Sequence, residues 1–544
     1  MVKRRQKLFH RTDGPWQAAL RSFLFLSFFF GPAKSLAPPL ANPDIVIVGA
    51  GSAGLTAAKF GARFGKSVLL VEKGRSGGDC TWTGCVPSKA MIAAAKAAHV
   101  ARSGGQQHGV TTGDEGMAVS VSWGAVKGRL QRVIQSIYDA DDSPEALRKL
   151  NIHLVNATAS FLDEDSLLLQ HGGSGGGSGS GNNETVVTAK HGYVVATGAR
   201  PVVPDIPGLA TVPFITYEDV FSLPELPKRL TIVGGGPIGC ELAQAFQRLS
   251  AQVTLVAPKL LPAEDPAAGE VLERVFRKEG VRLVSGRVAS VRPAAAVKEG
   301  EGKGADSTSG GHVAVTAAGE EVVGDVLLVA TGREVVVDSL GLANAGVEYS
   351  ARGGVVTDRN LRTTSKKVYA AGDCTGGAQF THVAGFQGAI AARNILLPLS
   401  DPGVSKAPVP ACTFTAPEVA RAGYSQAEAV AEFGAGKVAA VTRPLAEVDR
   451  AECDDDEPEG FLKIVYHAKD FRILGALIVA PHAGEMIAEV SVAIEGNVKL
   501  PALASVVHVY PSYSIAIQQM AAEVYYEQLE RSMPLYNFLK WIGM

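Results

Sequence analysis

Two cysteines separated by four residues stand in the run Gly77-Gly-Asp-Cys80-Thr-Trp-Thr-Gly-Cys85-Val-Pro-Ser-Lys89. Residue types and spacing of this kind suit reversible thiol–disulfide exchange. In a regular α-helix, Cα atoms five residues apart lie roughly 8 to 9 Å from each other, beyond the ~7 Å that a disulfide spans. A bond between them therefore requires a break in the helix, which Gly84 makes cheap. Val-Pro-Ser-Lys signals a helix beginning near Pro87, and its positive end favours a thiolate at Cys85. Exchange chemistry needs that thiolate. Spacing alone leaves a second reading open, two unrelated reduced cysteines.

The elements that would position this pair come in two similar sets. A short apolar strand, Asp44 to Val48, leads into Gly49-Ala-Gly51-Ser52-Ala-Gly54, a helical run from Leu55 to Phe64, and a second strand from Ser67 to Val71 that ends at Glu72 and Lys73. In such a unit one glycine makes the tight turn, one lets the backbone approach a pyrophosphate, and one lets helix and strand pack; the acid accepts hydrogen bonds from a ribose. The pattern returns after the strand Arg229 to Val233 as Gly234-Gly-Gly236-Pro-Ile-Gly239, with a helix from Cys240 and a strand from Gln252 to Val256. Two fingerprints imply two nucleotides. The second strand of this repeat ends at Ala257-Pro-Lys259, with no acid to hold a 2′-hydroxyl and with Lys259 close enough to meet a 2′-phosphate, so NADPH is expected over NADH.

The run from Gly77 to Lys89 resembles the active-site stretch of the flavoprotein pyridine nucleotide-disulfide oxidoreductases, the family of glutathione reductase, dihydrolipoyl dehydrogenase and mercuric reductase. The resemblance covers about Asp44 to Glu530. It implies an α/β fold with two Rossmann-like dinucleotide-binding domains, for FAD and NAD(P), and a C-terminal α+β dimerisation domain. The expected boundaries are 41–207 with 336–408 for FAD, 208–335 for NAD(P), and 409–544 for the interface of a homodimer whose C-terminal part completes the partner's active site. The resemblance makes Cys85 the thiolate against the flavin and Cys80 the interchange thiol. It places Lys89 beside flavin N5, paired with Glu241. Ala196-Thr197-Gly198 and Ala330-Thr-Gly332-Arg333 are similar to the paired turns that close each nucleotide domain. Gly372-Asp373 is similar to the second flavin motif, whose aspartate holds the ribityl chain, and Thr381 to Ala384 would lie along the isoalloxazine edge.

The pattern breaks near the C-terminus. Thiol–disulfide members carry a His-Pro dipeptide whose imidazole moves protons at the interchange thiol. This chain reads His508-Val-Tyr510-Pro-Ser-Tyr513, with a tyrosine in the histidine's place; a phenol with pKa near 10 is a poor base at neutral pH. His508 would serve only after a register shift. Tyrosines at this position resemble the mercuric reductase branch, as do Gly372-Asp-Cys374-Thr and Phe414-Thr-Ala-Pro-Glu-Val-Ala. That branch characteristically adds a C-terminal cysteine pair, yet no cysteine follows Cys453 here. Soft-metal capture would thus rest on Cys80 and Cys85, and the acceptor is a metal ion or another small molecule. No resident metal is expected. The alternatives are a thiol–disulfide reductase, or a flavoprotein used only for binding.

Length and composition agree with a globular enzyme. Its 544 residues allow about three domains, and 6 cysteines in so long a chain do not make a disulfide-stapled scaffold. Residues 1–40 hold 7 basic residues and 1 acid around the apolar run Phe23 to Phe30. This is a targeting layout, to a plastid or the secretory route, with an apolar run far shorter than a membrane span. Against a net charge of −2, the remainder is acidic, and no basic patch suggests nucleic acid as a partner. Three stretches rich in small and polar residues, Ser103 to Gly116, His171 to Asn183 and Lys298 to Gly311, read as flexible insertions without chemistry.

Overall fold

The computed structural model describes residues 42–104, 119–171, 184–294, 311–403 and 409–541. The targeting layout of 1–40 and nearly all of the three insertions lie outside these residues.

Apolar, β-branched runs form two parallel sheets. The larger has strand order Val368–Ala370, Gly192–Val195, Ile45–Val48, Val68–Glu72, Ile152–Phe161, Leu167–His171 and Glu184–Val187. Its first five strands are parallel and the last two add on antiparallel. Strand Ile45–Val48 is buried along its whole length, as expected where helices cover both faces of a parallel sheet. The second sheet runs Arg282–Ser285, Gln252–Ala257, Arg229–Val233 and Val326–Val329, all parallel. An antiparallel pair, Ala199–Pro201 with Arg333–Val335, joins the segments that follow the two Ala-Thr-Gly turns.

The C-terminal part is a five-stranded antiparallel sheet ordered Ala411–Thr413, Glu418–Gly423, Ile473–Ala480, Phe461–His467 and Val438–Pro444. Helices Ala483–Glu495 and Ile515–Trp541 share its core through Met486, Ile487, Ile517 and Met520. The strand-like sequence pieces Arg421 to Tyr424, Phe461 to Val465 and Ile473 to Val479 fall largely within three of these strands. Ala411–Thr413 and Val438–Pro444 are additional, too short or too exposed to give a clear period-two signal. Among the described residues no helix is long and apolar enough to cross a membrane.

Both fingerprint helices begin earlier than the apolar periodicity indicates, at Ser52 and at Pro237. Each starts on the residue after a glycine, Gly51 or Gly236, with no side-chain cap, so the first-turn N–H groups are left for a ligand. Helix Ser52–Arg63 packs closely on Thr381–Leu396, because a Cβ on Gly388 would lie 2.0 Å from the Ala53 carbonyl oxygen. Gly388→Ala is therefore expected to lower the thermal midpoint, at an overpacking cost of about 1–3 kcal/mol. Gly128→Ala, in mid-helix where the added methyl makes ordinary contact, is expected to raise it, gaining roughly 0.5–1 kcal/mol. Melting curves of the two variants check both signs.

Candidate active site

The two fingerprints are built alike to the level of single atoms. Gly49 has φ +103° and Gly234 has φ +123°; a Cβ on either would lie 2.3 Å from a carbonyl oxygen, that of Ala196 or Ala330. Each Ala-Thr-Gly turn thus presses on the first glycine of its own fingerprint. Gly54 and Gly239 meet the carbonyls of Gly49 and Gly234 in the same way, so these two act in packing and do not line the cleft. Gly51 and Gly236 open onto space, with nothing closer than 3.9 Å to an added Cβ. Glu72 is held by the Ala50 and Gly74 amides, each at 2.8 Å, and faces the cleft beside Lys73.

The cysteine turn lies directly on the first fingerprint. Gly77 and Gly78 take positive φ, and a Cβ on Gly78 would come within 2.7 Å of the Gly51 Cα. Cys80 then sits in a short helix, Gly78–Trp82, and Cys85 opens a second, Cys85–His99. The break predicted at Gly84 is present: Thr83 N–H closes the short helix on the Asp79 carbonyl, and Gly84 is the cap of the next. Both thiols are free and hydrogen-bonded to each other. That bond from Cys80 is the main influence lowering Cys85 to about 6, aided by the Thr381 hydroxyl at 3.2 Å and the Lys89 charge, against burial. Cys80 is pushed above the ordinary thiol range by the same bond and by burial. At neutral pH Cys85 is the thiolate and Cys80 its donor.

Lys89 donates to Glu241 at 2.8 Å and lies 4.4 Å over the Phe414 ring. The other Glu241 oxygen accepts from Phe414 N–H at 2.9 Å. A buried carboxylate is thereby doubly satisfied. The second flavin motif stands close by: Gly372 N–H donates to Gln387, and Asp373 pairs with Arg333 at 2.9 Å. Burial raises the Asp373 pKa against that pairing. Arg333 also binds Asp79 and Tyr217. Asp79, Tyr217 and Gln387 were not singled out in the sequence, where only the position of Asp79 beside Cys80 carries any signal; Phe414 entered only as the first residue of a run that resembles the mercuric reductase branch.

One cleft of about 1490 Å³ takes in Gly49, Gly51, Ser52, Glu72, Lys73, Cys80, Cys85, Lys89, Thr197 and Gly198. It continues past Gly234, Gly236, Glu241, Lys259, Gly332, Arg333, Gly372 and Asp373. Arg287, two residues beyond the strand Arg282–Ser285 that pairs with the strand before Lys259, lines it too. Tyr510 and Tyr513 do not. Their hydroxyls donate to Asp449 at 2.9 Å and Asp454 at 3.0 Å on the C-terminal sheet's side, and Tyr510 is 65% exposed. Of the other cysteines, Cys412 lines the cleft, Cys240 and Cys374 are buried, and Cys453 is exposed.

The geometry fits two dinucleotides. Two uncapped helix starts, each behind a glycine with open space before it, face a single cleft larger than the ~300–1,000 Å³ of an ordinary ligand pocket. The depressed Cys85 predicts that, with the pair reduced, thiolate absorbance titrates with a midpoint near 6. The thiolate is present above that pH and lost as pH falls through it. Lys89→Met should move the midpoint up, since the ammonium favours the anion. A midpoint in the usual range for thiols, about 8.5, would contradict this arrangement.

Comparison with known proteins agrees with the geometry. The pyridine nucleotide-disulphide oxidoreductase family matches residues 43–388, and its dimerisation domain matches 409–521. Mercuric reductase of Shigella flexneri is 35% identical over 85% of this chain and 77% of its own. Dihydrolipoyl dehydrogenase of Chlamydia trachomatis is 32% identical over 86% and 94%. Among solved structures, the HOCl-induced flavoprotein disulfide reductase RclA from Escherichia coli has TM-score 0.73 at 27% identity, covering 88% of this chain and 99% of that one. The chain belongs to the pyridine nucleotide-disulphide oxidoreductases, FAD-dependent enzymes that take electrons from NAD(P)H.

Proposed function

We propose that this enzyme carries electrons from NADPH through the Cys80–Cys85 pair to a soft metal ion or a comparable small acceptor, in the manner of mercuric reductase. FAD, when bound, would supply the two-electron chemistry that links the nicotinamide to the cysteine side of the cleft. The fingerprint amides would hold the pyrophosphates, Glu72 the adenosine ribose, and Asp373 the ribityl chain. Lys89, neutralised in part by Glu241, would supply positive charge at the flavin's redox end. Cys85 stays ionised, and Cys80 gives up its proton as the acceptor arrives. For a divalent soft ion, the two sulfurs lose two electrons and close to the disulfide while the ion gains them.

The observation that carries this reading is the orientation of the loop 506–511. His508 is turned inward, its side chain 8% exposed. One ring nitrogen bonds the Val506 carbonyl and the other Glu489, each at 2.8 Å. Tyr510 is turned outward together with Val507 and Val509, and its hydrogen bond to Asp449 raises its pKa further. Such a phenol does not serve as a base near neutral pH, but its oxygen lone pairs are available to a metal ion. We propose that Tyr510 and Tyr513 of a homodimer's second subunit face Cys80. Further support comes from a solved neighbour at 27% identity, RclA, whose structure includes a Cu(II) complex.

For the nucleotide, Lys259 and Arg287 each follow by two residues the ends of the paired strands Gln252–Ala257 and Arg282–Ser285 and both line the cleft, and we assign them to the 2′-phosphate. A charge-assisted contact is worth about 1.5–3 kcal/mol, so Lys259→Ala and Arg287→Ala should each raise KM for NADPH roughly tenfold or more while leaving NADH unaffected. Equal losses with both nucleotides would reject the assignment. For the acceptor, an NADPH-driven panel of Hg(II), Cu(II), lipoamide and glutathione disulfide should favour the metal ions. Tyr510→Phe should slow metal reduction and spare flavin reduction. Vigorous lipoamide or glutathione reduction would overturn the proposal in favour of a thiol–disulfide reductase, since general acid–base help is worth about 10²–10⁴-fold.

A further inference from the structure

Arg333 follows the second Ala-Thr-Gly turn, and its guanidinium joins three pieces of the cleft wall. It donates to Asp79 at 2.8 Å, pairs with Asp373 at 2.9 Å and donates to the Tyr217 hydroxyl at 3.2 Å. The Tyr217 hydroxyl in turn donates to the same Asp79 oxygen at 3.2 Å. Asp79 precedes Cys80 on the helix Gly78–Trp82. That helix is only 5 residues long, far too short to be stable by itself, and glycines bound it at Gly77, Gly78 and Gly84. Besides the Cys80 thiol itself, its other side-chain hydrogen bonds run from Thr81 to Asp142 and from Trp82 to the Ser76 carbonyl, and the Trp82 ring packs on Tyr138 and Arg75. Neither of these two hydrogen bonds reaches the nucleotide side. Asp79 is thus where the segment bearing Cys80 is fastened to the wall that carries the second nucleotide motif.

We propose that Asp79 is a positioning residue, clamped by Arg333 and Tyr217, which holds Cys80 against Cys85 and thereby favours the disulfide of the pair over the dithiol. The inference rests on reading Cys80 and Cys85 as the redox couple. Fixing the backbone of one residue costs about 1–2 kcal/mol of conformational entropy. A helix already fastened has little of that left to lose when the sulfurs join; a loosened one loses it at closure. Neutralising Arg333 does not by itself require Asp79, because Asp373 already pairs with it.

The test equilibrates the full-length, FAD-loaded protein with graded ratios of reduced and oxidised dithiothreitol, then alkylates and counts free thiols at Cys80 and Cys85. In that exchange the reagent's two thiols give two electrons and two protons to the disulfide and close to the cyclic disulfide, leaving the protein dithiol. Asp79→Asn should move the midpoint toward easier reduction by about tenfold in the exchange constant, about 30 mV for a two-electron couple. Tyr217→Phe, which keeps every charge and removes one of the two donors to Asp79, should move it the same way by less; Asp79→Glu should restore part of the shift. A Tyr217→Phe midpoint equal to wild type would overturn the proposal, whether or not Asp79→Asn folds, because any remaining effect would be one of charge alone. A wild-type protein with no reversible disulfide at Cys80 and Cys85 would overturn this inference together with the proposed function.

Discussion

A sulfur that carries negative charge at neutral pH is the requirement around which the cleft is assembled. Cys85 meets it through a neighbouring thiol that donates, a threonine hydroxyl, and an ammonium whose own charge is shared with a buried glutamate. Each of these partners comes from a different part of the chain: Cys80 from the preceding short helix, Thr381 from the start of a helix 296 residues away, and Glu241 from the second fingerprint helix. The thiolate therefore depends first on the cysteine turn and then on the docking of the Thr381 helix, whereas Glu241 holds Lys89 in place while its own charge works against the anion. Contact of Gly78 with Gly51 fixes that turn, since any side chain there would lift the cysteines off the first fingerprint.

The same physical solution appears twice. In both parallel sheets a glycine with positive φ lies against the carbonyl of an Ala-Thr-Gly turn, and a second glycine lies against the carbonyl of the first. Close approach of backbone to backbone leaves the middle glycine and an uncapped helix start facing the cleft, which is what an anionic pyrophosphate needs. The two repeats differ where their ligands differ. The first ends in Glu72, tied down by two amides; the second ends in Ala257 and offers Lys259 and Arg287.

Much of this was legible in the sequence because it is local. Glycine spacing, the strand before it and the acid after it sit within about 30 residues, as does the cysteine pair with its helix signal. The Lys89–Glu241 pair, 152 residues apart, was accessible only through family resemblance. The Arg333 clamp was not legible: Asp79 and Arg333 are separated by 254 residues, and nothing in either local pattern points to the other. Nor does the sequence say which side chain of the loop 506–511 faces outward, because that depends on Glu489, on a separate helix, drawing His508 inward.

The central claim is that Cys80 and Cys85, and no other cysteines, receive the electrons that enter from NADPH. Anaerobic addition of one equivalent of NADPH to the oxidised, FAD-loaded protein, followed by alkylation and peptide mapping, tests it directly. The account predicts two newly labelled thiols per chain, at Cys80 and Cys85. Unchanged labelling there, or new label at Cys412 or Cys453, would contradict it.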